Sequence, residues 1–87
     1  MKLSVYTMKR TVYSGETPRI TAPTITGEVT ILEHHIPYVT VLKPGMLRYV
    51  AIVPHGASTI EKEEVLQISG GFLEVRENNE IRILADI

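Results

Sequence analysis

Cysteine and tryptophan are absent from this 87-residue chain, and phenylalanine occurs once, at Phe72. Without cysteine there is no disulfide staple, no thiolate nucleophile and no thiolate metal ligand. No apolar run approaches the ~18–20 residues that a bilayer-crossing helix needs. Strong charge of either sign is also missing: nine Lys and Arg stand against ten Asp and Glu, for a net charge of −1. A nucleic-acid binder would show a basic face, and an anionic-lipid anchor a polybasic cluster. Met1-Lys2-Leu3-Ser4 runs straight into alternating residues, without the apolar core of a signal peptide. Low-complexity tracts, linkers and internal repeats are not found either.

What remains is a chain with 44% hydrophobic residues, dominated by Val, Ile and Leu, long enough for one domain over residues 1–87. Its periodicity is that of β-structure. Leu3, Val5 and Thr7 point one way from an N-terminal strand, and Ser4, Tyr6 and Met8 the other. Short β-rich runs follow at Thr11–Tyr13, Arg19–Ala22, Glu28–Leu32, Tyr38–Leu42, Met46–Val53, Glu64–Ser69, Phe72–Arg76 and Glu80–Ala85. Turn chemistry separates them: Lys43-Pro44-Gly45 as a type II turn with Gly45 at positive φ, Pro54 to Ser58 as a polar hairpin loop, and Asn78-Asn79 as a tight turn. Gly70-Gly71 marks a bend or a close backbone approach. The one helix candidate is Ser58–Leu66, where Ser58 and Glu61 have capping-box spacing; a long hairpin loop is the alternative. Short strands with turns every eight to twelve residues predict an all-β fold, a two-sheet antiparallel β-sandwich of about ten short strands.

Two stretches break the alternation expected of a sandwich with solvated outer faces. Ile36–Leu42 has one polar residue, Thr40, and Met46–Val53 one charge, Arg48. A domain this small cannot cover both faces of two such strands, which predicts that another protein covers the outer face. Tyr38, Thr40, Leu42 and Met46 are the candidate contacts, because aromatics and Met favour desolvated interface centres; alternation sends some of them into the core.

No constellation for chemistry stands out. His34 and His35 are adjacent and would point to opposite faces of a strand, and His55 is remote, so no metal site is expected. Gly70-Gly71 lacks the strand–loop–helix context of a phosphate loop. Glu61-Lys62-Glu63-Glu64 reads as a solvated loop or strand edge, and no Ser/His/Asp set is spaced for catalysis. The expectation is a protein that is not an enzyme, with no catalytic residues and no cofactor.

Several stretches together resemble one family: Val12-Tyr13-Ser14-Gly15-Glu16, Gly27-Glu28, His35 followed by Pro37, Leu42-Lys43-Pro44-Gly45-Met46-Leu47-Arg48, Ser69-Gly70-Gly71-Phe72-Leu73-Glu74-Val75 and Ile83-Leu84-Ala85-Asp86. Their order and spacing are similar to the epsilon subunit of F-type ATP synthases, and the match runs from near Met1 to Asp86. The resemblance implies the N-terminal β-sandwich domain of a central-stalk rotor subunit, which docks on the gamma subunit and the c-ring and couples ion translocation to ATP synthesis. It places Tyr38, Thr40, Leu42 and Met46 toward gamma. It places Gly27, Glu28 and His35 on a c-ring-facing loop spanning Thr24 to His35. Glu33 and His34 stand where the family has a Pro-Gly pair, and Thr30 where it has glycine. The resemblance also puts a boundary near Ile87, before a C-terminal pair of helices. The expectation is therefore a short form lacking them, with no nucleotide bound. The implied location is the cytoplasmic face of the bacterial plasma membrane, with the thylakoid stromal face as the alternative and no direct membrane insertion. A small carbohydrate- or peptide-binding sandwich is the competing reading; four Tyr, one Phe and no Trp provide few aromatic platforms for it.

Overall fold

A computed structural model describes all 87 residues, and every regular element in it is a strand. The nine strands are β1 (Lys2–Tyr6), β2 (Thr11–Glu16), β3 (Arg19–Thr24), β4 (Gly27–Leu32), β5 (Tyr38–Leu42), β6 (Gly45–His55), β7 (Ser58–Ile68), β8 (Gly70–Arg76) and β9 (Glu80–Asp86). Hydrogen bonding links them in the order β2-β1-β9-β8-β5-β3-β6-β7, with β4 on the other edge of β3. The chain of strands nearly breaks between β5 and β3, which share a single rung, Thr24 opposite Leu42. That junction divides the structure into sheet I (β2-β1-β9-β8-β5) and sheet II (β4-β3-β6-β7), folded over one core.

Alternation decides what enters the core. Leu3 and Val5 of β1, Leu73 and Val75 of β8, and Ile81 and Ile83 of β9 are buried from sheet I; Ile20, Ile31, Leu47 and Tyr49 answer from sheet II. Burying each of the large aliphatics among them contributes about 1.5–3 kcal/mol. Met1, Leu42, Ile68 and Ala85 join the same cluster.

The nine strands meet the expected count of about ten. The sandwich differs from the sequence expectation in three respects. The sheets are not wholly antiparallel: β1 and β9 pair in parallel over five rungs, from Lys2–Glu80 to Tyr6–Leu84. The candidate helix Ser58–Leu66 is strand, because β7 pairs with β6 along eleven rungs from Gly45–Ile68 to His55–Ser58. One local capping contact cannot compete with a full ladder of backbone hydrogen bonds. Finally, Gly45 is not at positive φ. It starts β6, and its role is steric: a Cβ there would lie 3.0 Å from the ring of Pro23.

Two turn expectations match the backbone. Asn78 and Asn79 have φ of 64° and 59°, two left-handed residues in the three-residue turn Glu77–Asn79 that joins Arg76 to Glu80. At Gly71, φ is 140°, and a Cβ would collide with the Leu84 carbonyl oxygen, so β8 and β9 approach there as only glycine permits.

The link between β2 and β3 crosses from sheet I to sheet II and closes an exposed backbone edge. Past Tyr49, β6 has lost β3 as a neighbour. Side chains take over: Val50 N–H donates to Thr17 Oγ1 (3.3 Å), and Ile52 N–H donates to the Tyr13 hydroxyl (3.2 Å). That hydroxyl in turn donates to the Glu16 carbonyl at 2.7 Å, and the Tyr13 ring packs on Tyr49 with centroids 5.0 Å apart.

Candidate docking surface

The two apolar stretches singled out in the sequence lie in different sheets, and the structure treats them differently. In β6 the excess is absorbed internally. Leu47, Tyr49 and Ala51 point inward, and Val50, although directed outward, is only 4% exposed. Arg19 and Glu63, 4.0 Å apart, flank it and close over that rung. In β5 the excess remains on the surface.

The register of β5 corrects the expected patch. Tyr38, Thr40 and Leu42 lie opposite Val75, Leu73 and Gly71, on the inward side. Leu42 is 3% exposed and belongs to the core, so no partner can reach it without unfolding the sheet. Tyr38 is partly buried, and burial raises its phenol above the usual tyrosine range. Thr40 shares this inward face. The residues β5 offers to a partner are Val39 and Val41, one position out of phase with the expectation. Of the expected residues only Met46 is well exposed, and it lies on the outer face of sheet II.

Pairing then extends the β5 surface across sheet I. Val41 is opposite Phe72, Phe72 opposite Leu84, and Leu84 beside Tyr6. These four residues come from four strands and form one transverse row on the outer face. Phe72 is 56% exposed and Val39, two rungs away on the same face, 67%; Val41 and Leu84 are exposed as well. Below the row the surface turns polar: Glu74 sits opposite Arg82, and Arg76 Nε is 3.6 Å from Glu80 Oε1. An apolar centre with a charged rim is the anatomy of a protein interface.

The expected c-ring loop is not one loop. Thr24 to Gly27 make a tight turn, with the Thr24 hydroxyl donating to the Gly27 carbonyl and Gly27 at φ 125°. Glu28 follows, exposed, at the start of β4. His35 lies beyond the far end of β4, about 13 Å of strand away at ~3.3 Å per residue. The structure therefore places Gly27 and Glu28 at one end of the sandwich and His35 at the other. Thr30 faces outward and shares a hydrogen bond with the Thr21 hydroxyl (3.0 Å).

His35 is exposed, its ring 5.2 Å from that of Tyr38 and its Nδ1 2.7 Å from the Ile36 carbonyl oxygen. Its neighbour His34 adopts φ 62°, the left-handed conformation a glycine takes without strain. The strain is offset by a tether, since His34 N–H donates to Asn79 Oδ1 at 2.7 Å. Asn79 Nδ2 also donates to Glu33, and the Met1 ammonium donates to the same carboxylate. These bonds, Asn79 first, hold the Glu33 carboxyl below the usual range. No group of three or more His, Asp or Glu side chains is gathered in a metal-binding arrangement.

The family model for the ATP synthase delta/epsilon chain β-sandwich domain matches residues 1–87. The chain belongs to this family. Among relatives, the ATP synthase epsilon chain of Dichelobacter nodosus is 44% identical over 77 residues, which is 88% of this chain and 48% of that protein. The epsilon chain of Dehalococcoides mccartyi is 41% identical over 86 residues, 99% of this chain and 55% of that one. The chain thus spans about half the length of these epsilon-chain relatives. Among solved structures, a chain of the Tetrahymena thermophila mitochondrial ATP synthase central stalk and c-ring superposes with a TM-score of 0.77 at 21% identity, covering 100% of this chain and 63% of that one. A chain of the Euglena gracilis mitochondrial ATP synthase OSCP/F1/c-ring assembly gives 0.77 at 26% identity, covering 95% and 48%. Sequence pattern indicated that an exposed apolar surface exists; it missed Val39, Phe72, Leu84 and Tyr6 because their adjacency depends on the order of β5, β8, β9 and β1.

Proposed function

We propose that this domain is a non-catalytic docking element of an ATP synthase rotor, packing on the gamma subunit and reaching the c-ring, so that ion-driven ring rotation is transmitted to the stalk. The observation that carries this reading is the apolar row Val41–Phe72–Leu84–Tyr6 on the outer face of sheet I. Such a row is costly in water and suits a partner subunit. The family assignment, and the central-stalk and c-ring assemblies in which similar folds occur, support naming gamma as that partner. Rigidity suits this role, since a closely packed sandwich resists shear and coupling needs no reactive group.

Gly27 and Glu28, at the end marked by the β3–β4 turn, are the proposed c-ring contact. His35 belongs to the opposite end and is assigned to a separate contact. In a bacterium this places the domain on the cytoplasmic face of the membrane, held there by the assembly.

The test is binding of the full chain to purified gamma, with Phe72→Asp and Leu84→Asp as variants. A charge placed in a desolvated centre should weaken binding by at least about 1–3 kcal/mol while leaving the unfolding midpoint of the isolated domain nearly unchanged. Wild-type affinity in both variants would remove sheet I as the gamma face. No affinity of the wild-type chain for gamma would remove the rotor reading.

A further inference from the structure

The outer face of sheet II carries a different signal from that of sheet I, and it lies in the Leu42–Arg48 stretch, whose last residue has no role so far. Arg48 sits in mid-strand on β6. Its cross-strand neighbours are Thr21 on β3 and Val65 on β7, and beyond Thr21 lies Thr30 on β4. All of these face outward, and Met46 shares the face two residues along β6. Arg48 is exposed and takes part in none of the protein's five ion pairs.

Arg82, the mid-strand arginine of sheet I, is situated differently. The residue opposite it is Glu74. Opposite charges on facing rungs stabilise a sheet, so Arg82 has an acidic cross-strand neighbour inside the domain, although it too forms none of the five ion pairs. Arg48 has a hydroxyl on one side and a valine on the other. The nearest acid on its face, Glu63, lies two residues from Val65 on β7 and is paired with Arg19. A depression of about 180 Å³ opens here, lined by Arg48, Thr21, Val50, Arg19 and Glu63 among others. It has room for a carboxylate, and the one carboxylate that lines it, Glu63, is turned to Arg19 at 4.0 Å and forms no ion pair with Arg48.

We infer that Arg48 is the receptor for a partner's Asp or Glu side chain, the fixed charged point of a second docking face on sheet II. The guanidinium presents a planar fork of donors that matches a carboxylate, the Thr21–Thr30 hydroxyl pair lies alongside, and Met46 and Val65 supply apolar contact that excludes water from the pair. The partner is an acidic segment of a protein in the rotor assembly, so the inference rests on the rotor reading. It adds that the domain is gripped on both faces, by apolar packing on sheet I and by a charge pair on sheet II.

Carbodiimide coupling in the assembled synthase tests this. Carbodiimide joins a lysine amine to a carboxylate only when the two are in ion-pair contact, and arginine does not react. Synthase assembled with Arg48→Lys should give a peptide linking residue 48 to an Asp or Glu of a neighbouring subunit, found by mass spectrometry and absent from wild type. Arg48→Ala should lower affinity for the assembly by about tenfold or more at low salt, flatten its salt dependence and leave the unfolding midpoint unchanged. Arg48→Lys should recover only part of the affinity, since an ammonium lacks the fork. Incorporation without any link from residue 48, or a link only to Glu63 of the same chain, would overturn the inference and leave the rotor reading intact. Failure of the wild-type chain to incorporate would overturn both.

Discussion

The two sheets share one core and present opposite outer faces. Sheet I shows water a row of Val41, Phe72, Leu84 and Tyr6 from four strands. Sheet II shows Thr30, Thr21, Arg48 and Val65, also from four strands, in a row that is mostly polar. The inner faces of both are largely aliphatic. Core formation therefore explains only one side of each sheet. What the outer sides carry is free of folding demands, and that freedom makes the difference between them informative about partners.

The sharpest way to test this is to truncate neighbours that differ only in direction. Leu73 and Phe72 are adjacent on β8, one buried and one exposed. Leu73→Ala should cost about 2–5 kcal/mol in denaturant unfolding, from lost burial and the cavity left behind. Phe72→Ala should stay within about 0.5 kcal/mol for the isolated domain. Equal losses would mean that the row is part of the fold and not a docking face. Next in size is Gly71→Ala, which forces a Cβ onto the Leu84 carbonyl at an unfavourable φ. A loss of about 1–3 kcal/mol is expected, and the strain would reach the row itself, because Leu84 carries one of its side chains.

A smaller effect is expected at the crossing between the sheets. Tyr13→Phe removes the hydroxyl that receives Ile52 N–H, leaving that amide without its partner. The cost is about 1 kcal/mol, and the Ile52 amide should lose its hydrogen-exchange protection while Leu47, deep in sheet II, keeps its own. The least effect belongs to the Glu33–Asn79 tether. The Glu33 pKa is lowered in the folded state, so its contribution is complete above the usual glutamate range and fades as pH falls through the lowered value. In Glu33→Gln the stability lost on acidification should shrink over that window; an unchanged acid limb would mean the tether is not formed in solution.

Much of the fold was legible in the sequence because period-2 alternation is a local property. Leu3 and Val5 read as core from their spacing, and the Asn78-Asn79 turn read from its tolerance of positive φ. The phase of β5 was not legible. Both Tyr38-Thr40-Leu42 and Val39-Val41 are acceptable core sets, and only the pairing of β5 with β8 chooses between them. The parallel pairing of β1 with β9 was hidden for the same reason, since it joins residues nearly eighty positions apart. The long β7 was obscured by Glu61-Lys62-Glu63-Glu64, whose charges suit a helix start or a solvated edge strand equally well. At His34 a local rule points away from the observed backbone, and the compensation, Asn79, comes from a distant turn.

The parallel pairing has a mechanical consequence. β1 and β9 run side by side in the same sense, so a pull that separates the two ends of the chain slides one strand along the other. All five rungs between them must then yield together instead of opening one after another. β9 is also held along its other edge by β8, through seven further rungs. Load applied along β9 is therefore spread over two ladders at once, so that neither ladder has to bear it alone.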